Sequence, residues 1–143
     1  MVVSDVSDVN DSIIQNRIII NKYIEARITE LNLAPSTQKT TIEVLNRFSR
    51  NVEKNFEDVR RDDIISFLNK LRKIESEDPN HKWIGTYNHS LVLISAFFKW
   101  FYYPNMEHRQ RPNPDILLGI KQFKRKEKST YKPSDVWTQD DDL

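Results

Sequence analysis

The pattern of apolar and polar positions along the chain predicts helices. In four stretches, apolar residues recur at spacings of three and four, as on one face of an α-helix. No stretch of four or more residues alternates strictly between apolar and polar positions with turn residues at both ends, and only two glycines occur. The sequence therefore predicts an all-α fold.

Turn and capping residues divide this pattern into separate helices. The predicted helices cover residues 11–33, 36–52, 62–74 and 83–103, and a short fifth helical segment is predicted at 115–121. We expect Ser36 and Asp62 to cap the second and third helices, because both side chains can accept from the first turn. Pro104 ends the fourth helix.

Each helix has an apolar face that predicts its buried side. In the first helix this face consists of Ile14, Ile18, Ile20, Ile24, Ile28 and Leu31. In the second it consists of Thr41, Val44, Leu45, Phe48 and Val52, and in the fourth of Ile84, Tyr87, Leu91, Ile94, Phe98 and Phe101. The opposite face of the second helix is mainly basic, with Lys39, Arg47 and Arg50.

Composition limits the class of protein. A chain of 143 residues has the length of one domain, and 38% hydrophobic with 30% charged residues excludes a disordered chain. No apolar run approaches a membrane span, and the first residues lack a signal-peptide pattern, so we expect an intracellular, cytoplasmic protein without membrane contact. Without cysteine, and with only three isolated histidines, we expect neither a metal site nor a cofactor.

The net charge of +1 hides an uneven distribution along the chain. Residues 1–11 carry three aspartates and no base, and three more aspartates lie at 140–142. Between them, residues 121–132 carry six basic residues against one acidic residue, in a segment rich in turn formers. We therefore expect an acidic N-terminal tail at 1–11 and a basic linker at 121–137.

Small polar side chains stand at the entrances of the second and fourth helices. Residues 36–48 begin with Ser36, Thr37 and Thr40, and residues 86–100 begin with a comparable polar set before their apolar stripe. Helix N-termini offer free backbone N–H groups and the positive end of the helix dipole to an anion. The two helix starts are therefore predicted to meet one polar partner.

Four short motifs in this order resemble the N-terminal core-binding domain of tyrosine recombinases, the phage integrase family. They are Ser36-Thr37-x-x-Thr40, Asp58-Val59-x-x-Asp62-Asp63-Ile64, Thr86-x-Asn88-x-x-Leu91 continuing to Trp100, and Asn113-Pro114. The resemblance covers about residues 12–128. It implies a four-helix SAM-like bundle at 12–120, followed by the basic linker. Thr138 and Asp141, a capping-box pattern, resemble the start of a truncated catalytic domain at 138–143.

The resemblance also implies a function. Domains of this family hold one side of double-stranded DNA, and the second and fourth helices lie toward the major groove. Carried onto this sequence, the DNA-contacting residues would be Ser36, Thr37, Lys39, Thr40, Arg47, Arg50, Thr86, Asn88, His89, Ser90, Lys121, Lys124, Arg125, Lys126 and Lys128. The implied partners are duplex DNA, the missing catalytic domain of the same protein and neighbouring recombinase protomers.

One motif imitates the family's catalytic signature. His108-Arg109-Gln110-Arg111 matches its H-x-x-R spelling, and Tyr131 follows as a would-be nucleophile. The motif lies in a proline-bounded turn, however, and a tyrosine nucleophile needs a set of cationic groups around the reacting phosphate. We therefore expect no enzymatic activity from this chain, and strand cleavage from a parent recombinase.

Two other functions remain open on the sequence alone. SAM-like helical bundles also serve as protein–protein interaction modules. A non-catalytic accessory protein of the excision type could use the same fold on DNA. Charge reversal on the second helix separates a DNA-binding domain from an interaction module, because only the former depends on Lys39 and Arg47.

Overall fold

The computed structural model describes residues 6–124. Within them the chain forms four α-helices, namely α1 at Val6–Leu31, α2 at Pro35–Val52, α3 at Arg61–Asn69 and α4 at Trp83–Tyr102. Short 3-10 helices lie at Phe56–Asp58, His108–Gln110 and Asp115–Leu117, and this part of the chain contains no strand. The all-α prediction is confirmed.

The apolar face predicted for helix α1 is confirmed at Ile20 and Ile24 and is wrong at its other positions. Ile14 and Ile18 are 51% and 47% exposed, and Ile28 and Leu31 are also exposed. The buried positions are Asn16, Ile20, Tyr23 and Ile24. The reason is that Asn16 forms hydrogen bonds inside the fold while the Tyr23 ring packs on Phe97 and Trp100, with 5.2 Å between ring centroids in both pairs.

The predicted ends of the helices need three corrections. Helix α1 begins at Val6, so residues 6–11 of the predicted acidic tail are helical. Helix α2 begins at Pro35 with Ala34 as its N-cap, so Ser36 does not cap it. Helix α3 begins at Arg61 with Arg60 as its N-cap, so Asp62 does not cap it; Asp63, at the third helical position, accepts the Arg60 N–H on its Oδ2 at 2.8 Å.

Helix α3 is also shorter than predicted. It ends at Asn69, and the chain turns through residues 70–72 with tight backbone hydrogen bonds of the 3-10 type. Leu68 is its last fully buried residue, and Ile74 is 64% exposed. Beyond Leu68 there is therefore little apolar burial to hold a further helical turn.

The core is built around the aromatic side of α4. Phe97 and Phe98 are fully buried and meet Phe48 of α2 and Phe56 of the following 3-10 helix. The centroid separations are 4.7 Å for Phe56–Phe97 and 6.0 Å for Phe48–Phe98, within the range of stabilising aromatic pairs. The apolar faces predicted for α2 and α4 are confirmed at Leu45 and Ile94 as well, both fully buried.

The segment after α4 returns across the bundle. Of the fifth helical segment predicted at 115–121, only the 3-10 turn Asp115–Leu117 forms, and Leu117 is buried against the core. Arg61 of α3 holds the segment by donating its Nε–H to the Leu118 carbonyl at 2.6 Å. No helix in the described residues is long and apolar enough to cross a membrane.

Several predictions fall outside the described residues. They concern the first five residues of the acidic tail, Arg125, Lys126 and Lys128 of the basic linker, and the catalytic-domain start at 138–143. Of the predicted basic linker, the structure describes residues 121–124.

Candidate nucleic-acid interface

A cleft of about 150 Å³ lies between the first turns of α2 and the first half of α4. It is lined by Ser36, Thr37, Thr40, Thr41, His89 and Leu93. Most of these side chains can form hydrogen bonds, and only Leu93 is apolar. The start of α2 and His89 in the second turn of α4 are thus neighbours on one surface. The first turn of α4 does not share this surface as predicted, because Asp78 caps it by accepting the Trp83 N–H on its Oδ2 at 2.8 Å.

The start of α2 has free hydrogen-bond donors. Pro35 has no N–H, and Ala34 supplies no side-chain cap for the next two residues. The backbone N–H groups of Ser36 and Thr37 therefore have no partner in the helix, as is usual for a first turn, and both side chains are exposed. With the hydroxyl groups beside them, these donors match the acceptor oxygens of a phosphate.

Thr40 has a partner within its own helix. Its Oγ1–H donates to the Ser36 carbonyl at 3.1 Å, which leaves the hydroxyl lone pairs to accept from elsewhere. Thr41, one residue on, is buried at the floor of the cleft. Of the two threonines, Thr40 is the one in reach of a ligand.

Basic side chains continue along α2 from this cleft. Lys39, Arg47 and Arg50 are exposed. None of them has a carboxylate within 4.0 Å among residues 6–124, where the ion pairs use other cations. Their charge is therefore available to a polyanion, as the sequence predicts.

The predicted contact residues of α4 separate into three groups. Thr86 and His89 are exposed, and His89 reaches the cleft. Ser90 is 1% exposed and packs inside the bundle, so it cannot touch DNA in this conformation. Asn88 is half-buried, and its amide is bonded to the backbone of Phe123. Sequence reasoning placed all four in one group because they are consecutive or nearly so, whereas a helix turns by about 100° per residue.

The basic segment after residue 120 is represented by two lysines in the described residues. Lys121 and Lys124 are exposed on either side of the half-buried Phe123. Neither lysine has an ion pair within residues 6–124. Arg125, Lys126 and Lys128 belong to the same predicted set but lie outside the described residues.

A second, larger groove of about 480 Å³ lies on another side of α4. The cationic residues Arg27, Lys99, Arg111 and Lys121 line it together with His108, and its lining contains no carboxylate. The sequence predicts no site role for Arg27 or Lys99, because Arg27 lies outside the motifs and the basic segment, and Lys99 lies near the end of α4, away from its polar entrance. Arg27 and Arg111 are ion-paired with Glu30, so Lys99 and Lys121 are the cations of this groove that have no ion pair within residues 6–124.

Arg111 of the H-x-x-R motif has a structural role. Its side chain is 1% exposed and pairs with both carboxylate oxygens of Glu30, at 2.6 and 3.2 Å. It also donates to the backbone carbonyls of Tyr103 and Pro104, at 2.9 and 3.2 Å. These bonds tie the segment after α4 to α1 and leave Arg111 little capacity to bind a reacting phosphate.

Metal ligands are not grouped in this region. Within residues 6–124 there is no cluster of three or more His, Cys, Asp or Glu side chains that could hold a metal ion. What the surface offers is hydroxyls, backbone N–H groups of a first helical turn and exposed cations.

Comparison with known families identifies the class of protein. The family model described as "Phage integrase, N-terminal SAM-like domain" matches residues 19–107, more than half of the 143-residue chain. The chain belongs to this family, as the motifs predict. The match covers α2, α3, α4 and part of α1, and hence the whole of the cleft. Neither the curated proteins nor the solved structures contain a match to the chain.

Proposed function

We propose that this chain is the DNA-binding domain of a site-specific tyrosine recombinase or integrase. It grips duplex DNA, while a catalytic domain outside this chain cuts and rejoins the strands. The observation that carries the proposal is the cleft, where the hydroxyls of the first turn of α2 and His89 of α4 share one surface. Membership of the phage integrase family supports it.

The chemistry of the surface suits a nucleic-acid backbone. The free N–H groups and hydroxyls at Ser36 and Thr37 provide donors for one phosphate, and contacts of this kind fix the register of a protein on DNA. Lys39 and Arg47 on α2 supply the charge that releases counterions on binding. In this role the domain works inside the cell, beside its catalytic domain and neighbouring protomers.

Salt dependence of duplex binding tests the proposal. With about five phosphate contacts, the logarithm of the association constant falls against log salt with a slope of about −4 to −5. Fluorescence anisotropy with a labelled duplex measures this slope between about 50 and 200 mM salt. Absence of duplex binding at low salt, or binding that ignores salt, would contradict the proposal.

Charge reversal locates the surface. The double variant Lys39→Glu with Arg47→Glu is expected to abolish duplex binding, because it replaces two phosphate-attracting charges by repelling ones. The matched control is Arg17→Glu with Lys22→Glu, which makes the same charge change at exposed positions of α1. Neither control position lines the cleft or the larger groove. Equal losses in both double variants would mean that only net charge matters, and would refute the assignment of the surface.

The exposed apolar residues of α1 favour a second candidate function, a protein-interaction module. Ile14 and Ile18 lie one turn apart on the helix and are about half exposed. Under this hypothesis duplex DNA is irrelevant, and Lys39→Glu with Arg47→Glu leaves self-association unchanged in sedimentation velocity. Ile14→Asn with Ile18→Asn would abolish that association.

A further inference from the structure

The side chain of Asn88 forms two hydrogen bonds with the backbone of Phe123, a residue of the basic segment. Its Nδ2 donates to the Phe123 carbonyl at 2.7 Å, and its Oδ1 accepts from the Phe123 N–H at 2.8 Å. One side-chain amide thus satisfies both backbone groups of a residue 35 positions away in the sequence. These two bonds use the amide oxygen and one of the two N–H donors of Asn88.

The Phe123 ring is held at the same place. It packs edge-to-face against Trp83 and Tyr87, with ring centroids 5.3 and 4.8 Å apart. The Arg72 guanidinium lies 5.2 Å from the centroids of both Phe123 and Trp83. We call the set formed by Arg72, Trp83, Tyr87 and Asn88 the linker clasp. Aromatic and cation–π contacts of this geometry are stabilising.

The clasp is formed at the start of α4, the helix whose second turn carries His89 of the proposed DNA-binding cleft. Asn88 is followed directly by His89, which lines the cleft, and Phe123 is followed directly by Lys124. Arg125 and Lys126 come next in the sequence. Because a residue adds at most about 3.6 Å of chain, a fixed Phe123 keeps the backbone of Lys124 close to the start of α4.

We propose that Asn88 is a positioning residue, which acts on DNA through the linker rather than by touching DNA. It holds Phe123 in the clasp, so that the basic segment leaves the domain at the start of α4. The effect on DNA rests on the proposed function. The clasp increases DNA affinity by tethering, because cations on an anchored segment have a higher effective concentration at the phosphates than cations on a free segment.

Amide hydrogen exchange tests the clasp without DNA. In the 143-residue chain, Asn88→Ala removes the acceptor of the Phe123 N–H, and exchange at Phe123 is expected to accelerate about tenfold or more. Asn88→Asp keeps that acceptor, so its exchange rate at Phe123 is expected to lie between those of the unaltered chain and of Asn88→Ala. His89→Ala, at the neighbouring exposed position, is the matched control and leaves the rate unchanged. An unchanged rate in Asn88→Ala would overturn the clasp, whatever the domain binds.

Salt dependence distinguishes a positioning residue from a direct contact. A neutral amide that touches DNA releases no counterions, so its removal weakens binding but leaves the salt slope unchanged. If Asn88 acts through the linker, Asn88→Ala makes the slope shallower by about 1 for each lysine or arginine that no longer reaches a phosphate. A weaker affinity with an unchanged slope would overturn the proposal.

Phe123→Ala provides an independent variant that leaves Asn88 in place. It is expected to make the salt slope shallower as Asn88→Ala does, and the double variant should be no worse than either single one, because both remove the same anchor. If the affinity losses of the two single variants added up in the double variant, Asn88 and Phe123 would not share one role. Normal DNA binding by both single variants would also overturn the proposal. If the unaltered chain binds no duplex, the proposed function fails with the DNA part of the proposal, and the exchange experiment still decides the clasp.

Discussion

Replacing Asn16 by alanine is expected to destabilise the domain strongly, although asparagine to alanine is a mild change on most helices. The Asn16 side chain is fully buried. Its Nδ2 donates to Ser49 Oγ at 2.9 Å and to the Lys54 carbonyl at 2.8 Å, and its Oδ1 accepts from the Phe56 N–H at 3.0 Å. One amide therefore joins α1 to the end of α2 and to the loop that follows it.

The expected cost follows from these three bonds. Each contributes about 0.5–1.5 kcal/mol net, and a buried donor left without an acceptor costs about 1–3 kcal/mol. After Asn16→Ala, the Phe56 N–H loses its acceptor at a site too enclosed for easy solvation. Allowing for partial relaxation, we expect a loss of about 3–4 kcal/mol in the free energy of unfolding, and a fall of about 10 °C or more in Tm.

Urea unfolding followed by circular dichroism measures this loss. The matched control is Asn21→Ala, the same chemical change at an exposed position of the same helix. It should be neutral or slightly stabilising, because alanine is the better helix former. If Asn16→Ala cost less than about 1 kcal/mol with an unchanged denaturant slope, the three bonds would not have the value assigned to them.

Two further predictions concern buried polar groups. Arg111→Met should lower the free energy of unfolding by about 2–3 kcal/mol, somewhat less than for a fully buried pair because Glu30 is partly exposed. Arg111→Lys should restore little of this stability, because lysine cannot bond to both carboxylate oxygens of Glu30 at once. A near-neutral Arg111→Met in urea unfolding would refute this. Burial raises the pKa of Tyr23 to about 12, so stability is intact below pH 10 and declines by up to about 3 kcal/mol towards pH 12, because the tyrosine of the unfolded chain ionises first. Tyr23→Phe should flatten this decline, and parallel pH profiles of the two proteins would show that Tyr23 is not its cause.

Helix α2 shows what the sequence can predict. Its apolar period is unambiguous, and Pro35 fixes its start to within one residue of the prediction. The spacing of its apolar residues predicts both its buried residues and its basic outer face, because these apolar residues lie on one side of the helix.

Helix α1 shows the limit of the same reasoning. Isoleucines occur on more than one side of it, so periodicity alone admits more than one buried face. The choice depends on Asn16 and Tyr23, whose partners Ser49, Phe56 and Phe97 are at least 33 positions away along the chain. A pattern of hydrophobicity assigns a buried asparagine to the surface, because it cannot include hydrogen bonds to distant backbone.

The candidate site was predictable to a similar degree. Ser36, Thr37 and His89 share a cleft, but only the start of α2 contributes free backbone donors, because Asp78 caps the start of α4. Asn88 and Ser90 belonged to the same predicted group, yet one holds Phe123 and the other is buried. The pairing of Asn88 with Phe123 could not be predicted from the local sequence, because the charged residues around Phe123 are typical of a linker.

The start of α4 therefore has three roles within four consecutive residues. Tyr87 and Ser90 face the interior, Asn88 holds the basic segment, and His89 faces the cleft. A drop in DNA affinity in a variant of this turn does not by itself identify a DNA-binding residue, because a damaged core, a released linker and a missing phosphate ligand all weaken binding. Only His89→Ala is expected to reduce affinity while both the Tm and the exchange rate at Phe123 stay unchanged.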